Sequence, residues 1–280
     1  MRYGRSVLLL VLAFASAAAS AEGYIGRLLN RPVPGGVAVV PLGTDSQAPR
    51  VTYKGKPVMV LRDTDQQWIA VVGIDLKTAP GIYNVETESK PDTRQWPFEV
   101  GAKDYKAQHI TLKNKKQVNP DPEQIRRYER EYKEQMAAYG NFRDVLPSNV
   151  SLDRPVEGRL SSPFGLRRFF NGEERNAHSG LDFAVPQGTK IKAPADGVVT
   201  IVADYFFNGK TIFIDHGQGF ITMYCHLSAF DVQRGQAVKR GQVIGRVGAT
   251  GRATGPHLHW NVSLNNARVD PAIFINAFQP

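Results

Sequence analysis

Four of the six histidines of this 280-residue chain fall in three short segments of its C-terminal half, and these segments constrain how it can fold. His178 stands four residues before Asp182, and His257 stands two residues before His259; His226 lies between the two pairs. Both spacings are even, so in extended strands each pair projects from one face of a sheet. If the strands meet, two imidazoles and a carboxylate converge on one point. Such a set is typical of a catalytic zinc site, in which three protein ligands leave a fourth position for water. On spacing alone, either His257 or His259 can be the third ligand.

These motifs resemble those of the lysostaphin-type (M23) zinc metallopeptidases, which cleave peptide bonds in peptidoglycan. The resemblance extends over about the last 120 residues and is more specific than a single short motif. Besides the histidine segments, it rests on the following stretches: Pro163–Arg167, Ala193–Gly197, Tyr224–Leu227 and Gly255–Trp260.

The resemblance implies a C-terminal antiparallel β-sheet domain with a groove, and it implies roles for individual residues. Zn²⁺ is expected on His178, Asp182 and His259. His226 and His257 are then expected to be catalytic, one as general base and the other as a stabiliser of developing negative charge. Which of the two is the base stays open.

Two further residues are candidates for substrate binding. Tyr224 is two residues from His226, so on a regular strand its side chain should face the site; a groove-wall aromatic is the alternative. Arg167 occupies a position that is typically basic in the family, where it could orient a substrate carboxylate or form a local salt bridge. Cys225 should face the opposite side and lie in a core, so a cysteine hydrolase is disfavoured.

The first 21 residues are expected to be a signal peptide rather than part of the fold. Arg2 and Arg5 provide a positive start, Val7–Ala15 is an apolar run, and Ala19–Ala21 resembles a cleavage site before Glu22. The run is too short to cross a bilayer, and no transmembrane segment is expected elsewhere. The mature protein is expected to be exported to the periplasm, with secretion as the alternative.

Residues 22–118 are expected to form a small antiparallel β-sandwich. Short strands without intervening helices are typical of such a domain. The expected strands are Val37–Val40, Val58–Leu61, Trp68–Val72, Gly81–Thr87 and Trp96–Val100. The segment resembles the immunoglobulin-like N-terminal domain that precedes some M23 peptidase domains. His109 stands alone near its end, and we interpret it as a surface or locally hydrogen-bonded residue.

Residues 119–150 are expected to be a helical linker, and residues 151–280 the metallopeptidase domain. Asp121 is a suitable N-cap and Pro122 suits the first helical turn, so a helix should run to about Tyr139 and end at Gly140. The helix is interpreted as packing on a domain; the alternative is a lid or partner-binding helix. An intramolecular contact of this helix or of the N-terminal domain with the groove could restrain the enzyme.

The net charge and the distribution of basic residues indicate which binding partners to expect. The formal charge of +9 suits an anionic wall polymer, but the basic residues are dispersed and no nucleic-acid recognition motif accompanies them, so nucleic acid is excluded as a partner. The sequence therefore predicts a zinc endopeptidase that cleaves peptidoglycan cross-links, with D,D specificity favoured. The alternative is a non-hydrolysing wall-binding or regulatory protein on the same fold.

Overall fold

The fold is described from a computed structural model, which covers residues 23–88, 93–111 and 120–279. The expected signal peptide lies outside these residues, as does the first residue of the expected helical linker. Among the helices that are described, none combines the length and the apolar composition needed to span a bilayer.

The N-terminal domain is a sandwich of two antiparallel sheets, which confirms the predicted architecture. A short helix, α1 (Tyr24–Leu29), precedes it. Its strands are β1 (Val37–Gly43), β2 (Val51–Tyr53), β3 (Lys56–Pro57), β4 (Met59–Arg62), β5 (Trp68–Gly73), β6 (Gly81–Glu88) and β7 (Thr93–Val100). One sheet has the order β1-β5-β4 and the other β3-β2-β6-β7. All five predicted strands are present within these bounds, give or take a few residues at their ends.

Strand β5 is buried on both of its faces. Ala70 and Val72 pack into the core between the two sheets of the sandwich. Ile69 and Val71 point the other way and belong to the same hydrophobic cluster as Trp260 of the C-terminal domain. The N-terminal domain is therefore docked on the C-terminal domain through an apolar sheet face, in addition to the covalent connection.

The connecting helix α2 (Pro122–Tyr139) begins and ends as its sequence predicts. The Asp121 carboxylate accepts a hydrogen bond from the backbone N–H of Gln124, and the Gln124 side chain accepts one from the backbone N–H of Asp121, which completes a capping box. Gly140 is the C-cap. Local capping signals are sufficient to define this helix.

The C-terminal domain is built around a ten-stranded antiparallel sheet. A separate three-stranded sheet has the order β11-β10-β8, in which β8 (Ala107–Ile110) pairs in parallel with β10 (Arg167–Phe170). The bounds are β9 (Arg159–Ser162), β10 (Arg167–Phe170), β11 (Glu173–Glu174), β12 (Leu181–Ala184), β13 (Lys190–Lys192), β14 (Gly197–Tyr205), β15 (Gly209–Asp215), β16 (Ile221–Phe230), β17 (Ala237–Val238), β18 (Val243–Val247), β19 (Leu258–Leu264), β20 (Ala267–Val269) and a 3₁₀ turn (Pro271–Ile273). The central path of the large sheet runs β17-β14-β15-β16-β19-β12-β9.

The two faces of this sheet are covered differently. One face packs into the large core that includes Tyr224 and Trp260. The other face is covered in part by α2, whose Tyr139 ring lies 4.9 Å from that of Phe213 and whose hydroxyl reaches the Met223 sulfur at 3.2 Å. Cys225 lies in this second layer and is buried in a core, as predicted. Its expected orientation was wrong, because Cys225 lies on the same side of the sheet as His259, its partner on β19, and not on the opposite side. The α2 side of the sheet is also the side on which the candidate site lies.

His216 lies in the core and has a structural role. Its Nδ1–H donates to the Asp196 carbonyl at 2.7 Å, and its Nε2 accepts from the Thr222 hydroxyl at 2.8 Å. Thr222 in turn lies 3.0 Å from the Tyr224 hydroxyl. Burial lowers the pKa of His216 from 6.5 to about 4, so this imidazole is neutral in the folded protein near neutral pH.

We expect His216 to make the protein less stable in mild acid. Its pKa is lower in the folded state, so the unfolded chain takes up a proton first and stability falls as the pH drops from 6.5 towards 4. The loss should be on the order of 3 kcal/mol. Urea unfolding at several pH values should show a flatter pH dependence for His216→Asn than for the wild type. Parallel curves for the two proteins would contradict this assignment.

Candidate metal centre and groove

The pairing of β12 with β19 brings the candidate ligands together. Asp182 lies directly opposite His259 in the antiparallel ladder. His178 lies in the segment that precedes β12, not on a strand, and this segment is held by the Asn261 amide, which donates to the Ser179 carbonyl. The three candidate ligands therefore meet as the spacing predicts, although only two of them project from paired strands.

The three ligand atoms form a compact triangle. His178 Nε2 lies 2.9 Å from both Asp182 Oδ1 and His259 Nδ1, and the latter two atoms are 2.7 Å apart. This is the one group of three or more His, Cys, Asp or Glu side chains within the described ranges that is arranged to hold a metal ion.

The hydrogen bonding around His178 fits a cation at this point. Its Nδ1 lies 2.7 Å from the Pro163 carbonyl, an acceptor, so Nδ1 carries the proton. Burial lowers the pKa of His178 to about 4, so the ring is neutral near neutral pH. Its Nε2 lone pair then faces Asp182 Oδ1, also an acceptor. A ligating imidazole whose other nitrogen donates to a backbone carbonyl is the usual arrangement in metal sites.

Asp182 is ionised and is held from both sides. Burial alone would raise its pKa, but the adjacent imidazoles of His178 and His259 hold that pKa well below its ordinary value. The second oxygen, Oδ2, accepts a hydrogen bond from Arg168 Nη2 at 3.2 Å. One carboxylate oxygen thus faces the ligand triangle, and the other is oriented by a guanidinium.

His226 lies at a β-bulge and has an unusual backbone conformation. Its φ is +62°, in the left-handed region that costs a non-glycine residue free energy and often marks functional positions. Two hydrogen bonds hold it there. The backbone N–H donates to the Asn208 carbonyl at 2.8 Å, and the Nδ1–H donates to the Thr250 carbonyl at 2.8 Å. Nε2 is left as an acceptor.

His257 presents the same tautomer beside His226. Its Nδ1–H donates to the Gly255 carbonyl at 2.8 Å, and the ring centroids of His257 and His226 are 4.7 Å apart. The His226 ring is also 6.1 Å from the ring of His259. Burial, followed by the nearby His257 and His259, lowers the pKa of His226 to about 3. Two imidazoles therefore stand next to the ligand triangle, each with its Nδ1–H on a backbone carbonyl and its Nε2 left as an acceptor.

Tyr224 does not face the site, which corrects the expectation from strand parity. It is fully buried in the core on the other face of the sheet, where its hydroxyl is bonded to Thr222. The bulge at His226 reverses the alternation of side chains along β16. As a result His226 shares the face of Cys225, and Tyr224 shares the face of Leu227.

Arg167 lies at the rim of the groove and is paired locally. Its Nε and Nη2 donate to Glu174 Oε1 at 3.0 and 2.9 Å, and both side chains are about half exposed. The next residue, Arg168, points inward to Asp182 instead. The family motif drew attention to Arg167, whereas alternation along β10 was the only sequence signal for the inward Arg168.

The ligand triangle opens into a groove of about 1690 Å³. Residues of α2, among them Tyr128 and Tyr132, line one side, and residues 75–77 of the N-terminal domain line part of the rim. Arg168, Arg252 and Arg175 also line it. Sequence reasoning did not identify Arg252, which follows a glycine-rich turn that gives no signal of its orientation.

Comparison with known proteins places the chain in a family. Residues 176–271 match the sequence model of peptidase family M23, and residues 30–103 match that of the peptidase family M23 N-terminal domain. A crystal structure from Pseudomonas aeruginosa, assigned to peptidase M23, is 57% identical with a TM-score of 0.79. The alignment covers 91% of this chain and 100% of that one. The chain belongs to peptidase family M23. The M23 resemblance found in the motifs, and the N-terminal M23 domain, are thereby confirmed.

The curated relatives match less than half of this chain. The DD-carboxypeptidase/endopeptidase Mpg of Neisseria meningitidis is 46% identical over 116 residues, which are 41% of this chain and 27% of Mpg. The peptidoglycan DD-endopeptidase ShyA of Vibrio cholerae is 43% identical over 119 residues, 41% of this chain and 28% of ShyA. The matched part of the chain thus spans about a quarter of the length of these relatives.

Removing a ligand should abolish metal binding. We expect His178→Ala, Asp182→Ala and His259→Ala to lose bound metal, because each removes one of three convergent donors. His257→Ala should keep it. The ligand side chains are not part of the hydrophobic core, so circular dichroism should show that every variant is folded. Metal content by inductively coupled plasma mass spectrometry decides the assignment; full occupancy in Asp182→Ala would overturn it.

Proposed function

We propose that the protein is a zinc-dependent endopeptidase that cleaves peptide cross-links of bacterial peptidoglycan, with D,D specificity. The observation that carries the proposal is the combination of three convergent ligand atoms with two further imidazoles that offer free Nε2 acceptors beside them. The names of the relatives, a DD-carboxypeptidase/endopeptidase and a peptidoglycan DD-endopeptidase, support the same substrate. Action on peptidoglycan implies a site of action outside the cytoplasm, and the periplasm is the proposed compartment.

Zinc is the proposed metal, held by His178, Asp182 and His259. Two imidazoles and a carboxylate suit this borderline ion, which three protein ligands leave with an open position. When bound, zinc would lower the pKa of water towards about 7 and polarise a carbonyl group.

His226 and His257 are the proposed proton-handling groups. Hydrolysis of an amide requires removal of a proton from the attacking water and delivery of a proton to the leaving nitrogen. Each imidazole has its Nδ1–H fixed on a backbone carbonyl, so each can take up a proton at Nε2 and then donate it. The ring centroids are 4.7 Å apart, so both can reach one substrate. The two residues divide proton uptake and stabilisation of the developing negative charge between them.

The alternative is a wall-binding protein without hydrolytic activity. Such a protein needs the groove but needs neither the ligand triangle nor a strained histidine. The cost of holding His226 at positive φ is explained by catalysis and is unexplained by binding alone. Purified sacculi separate the two functions: the enzyme releases soluble fragments, whereas the binding protein only sediments with the wall.

The cleaved bond can be identified from the products. We expect mass spectrometry to show loss of D-alanyl-to-diamino-acid cross-links from sacculi and no cleavage of a glycine-bridged wall. Cleavage of the glycine bridge would refute D,D specificity but leave the metalloendopeptidase intact. Release of no fragments by the metal-loaded protein would refute the enzyme.

His226→Ala should separate metal binding from proton transfer. We expect this variant to keep its zinc and to lose activity by a factor of about 10² to 10⁴, the usual range for a general acid or base. His109→Ala is the matched control, because His109 stacks on Phe169 away from the ligand triangle and should retain activity. Loss of zinc from His226→Ala would show that His226 is a ligand.

We propose further that the N-terminal domain restricts the groove. Its residues 75–77 lie at the groove rim, and its docked sheet face keeps them there. Leu76→Ala should speed hydrolysis of sacculi by a few fold while leaving the turnover of a small soluble peptide unchanged. Ile82→Ala, which is exposed on the same domain, is the control. An equal rate on sacculi for Leu76→Ala and wild type would exclude this restriction.

A further inference from the structure

Two arginines lie in the groove next to the candidate metal centre. Arg168 and Arg252 both line the groove, as do the ligands His178, Asp182 and His259. Arg168 orients Asp182, but the proposed hydrolysis gives neither arginine a contact with substrate. Both are largely withdrawn from solvent, and a cation that is partly desolvated interacts more strongly with an anionic ligand than one on the open surface.

Arg168 is held in a fixed orientation with donors to spare. Its Nε donates to Gln108 Oε1 at 3.2 Å, and its Nη2 lies 3.2 Å from Asp182 Oδ2 and 3.4 Å from Ser162 Oγ. Its Nη1 makes no hydrogen bond to any residue that the structure describes. The side chain is 20% exposed and lines the groove.

Arg252 is held by aromatic rings. Its guanidinium carbon lies 4.3 Å from the Phe207 ring centroid and 4.7 Å from that of Phe170. Stacking of this kind fixes the plane of the guanidinium in the groove. Burial, followed by the charge of Arg168, lowers the pKa of Arg252 to about 10, and Arg175 acts in the same direction. Arg168 and Phe170 are two residues apart on β10, so their side chains leave the same face of the strand. Arg252, stacked on Phe170, therefore lies on the same side as Arg168. An anion between two guanidinium groups relieves their mutual repulsion.

The substrates of the proposed reaction carry such an anion. In a D-alanyl-to-diamino-acid cross-link, the carbon attached to the scissile nitrogen also bears a carboxylate. In a carboxypeptidase reaction on a terminal D-alanine, the carbon attached to the scissile nitrogen bears the C-terminal carboxylate. The carboxylate and scissile carbonyl carbons are three bonds apart, a span of about 4 Å. Arg168 contacts the far oxygen of Asp182, just beyond the ligand triangle, at a suitable position for this group.

We propose that Arg168 and Arg252 form a subsite for the carboxylate on the carbon that bears the scissile nitrogen. This rests on the proposed function and deepens it, because the subsite selects bonds whose leaving amine belongs to an amino acid with a free carboxylate. A D,D cross-link and a terminal D-alanyl-D-alanine share this feature. The internal bonds of a glycine bridge lack it. The subsite thus favours D,D bonds over the internal bonds of a glycine bridge, and it predicts carboxypeptidase activity in the same groove.

A pair of peptides that differ only in charge tests the subsite. Nα,Nε-diacetyl-L-lysyl-D-alanyl-D-alanine and its C-terminal primary amide contain the same scissile bond. We expect wild-type protein loaded with zinc to prefer the acid by about 10- to 100-fold in kcat/KM, the range for hydrogen bonds to a charged group. In Arg252→Met the preference should fall to about threefold or less, with little change on the amide. Arg252→Lys should recover part of it.

Arg168 needs a second readout because it contacts Asp182. Arg168→Met should also lose the preference for the acid, and its metal content should be measured alongside. Arg234→Met is the charge-matched control, since Arg234 is 73% exposed on the side chain and lies outside the groove lining. It should behave as the wild type. Equal losses on the acid and the amide in Arg252→Met, with the fold intact by thermal unfolding, would overturn the subsite.

Binding without turnover separates the subsite from the reaction. Wild-type protein freed of metal by a chelator should bind the acid peptide at least tenfold more tightly than the amide in a calorimetric titration, and Arg252→Met should not. Selective binding without hydrolysis by the zinc-loaded protein would leave the subsite standing and refute the enzyme. Hydrolysis without preference for the acid peptide would refute the subsite but would leave the proposed hydrolytic function standing. Neither hydrolysis nor selective binding would refute both.

Discussion

The candidate metal centre depends on a close contact between a lone pair and a carboxylate that a bound cation relieves. Pairing of β12 with β19 sets Asp182 opposite His259, and the segment before β12 returns His178 to the same point. The Nδ1–H of His178 donates to the Pro163 carbonyl. The Nε2 lone pair of the same buried ring therefore faces the Asp182 carboxylate. Two acceptors 2.9 Å apart repel each other there more than they would in water. The backbone that holds them is therefore arranged for a bound positive ion.

The connecting helix takes part in this arrangement although it lies outside both segments that match the M23 family. The Gln135 side chain of α2 accepts a hydrogen bond from Asn208 Nδ2 at 2.9 Å, and the Asn208 carbonyl in turn accepts the backbone N–H of His226. Tyr139 anchors the C-terminal end of the same helix on Met223. The helix thus lines the groove and also supports the turn that keeps His226 in its strained conformation. This is why a connecting helix is a more accurate description than a mobile lid.

The sequence predicts features that local residues determine, such as the ends of α2. It does not predict side-chain orientations that depend on backbone groups distant in the chain. The capping residues Asp121 and Gly140 define α2, and the pairing of β12 with β19 brings Asp182 and His259 together. Tyr224 was placed on the wrong face because a bulge at His226 reverses the alternation. That bulge is stabilised by the Asn208 and Thr250 carbonyls, and backbone carbonyls have no sequence signature. The inward direction of one arginine in a pair is likewise set by its tertiary partner.

The docking of the N-terminal domain on the C-terminal domain explains the uninterrupted apolar run of β5, which the sandwich core alone does not explain. A strand with one solvated face alternates apolar and polar residues, whereas Trp68–Gly73 has an uninterrupted apolar run. Such a run needs two apolar layers. The sandwich core covers Ala70 and Val72, and the cluster that includes Trp260 covers Ile69 and Val71. Separating the domains would expose the second face to water at a cost of about 25 cal/mol per Å². The N-terminal domain is therefore held against the C-terminal domain, because swinging away would open this apolar contact.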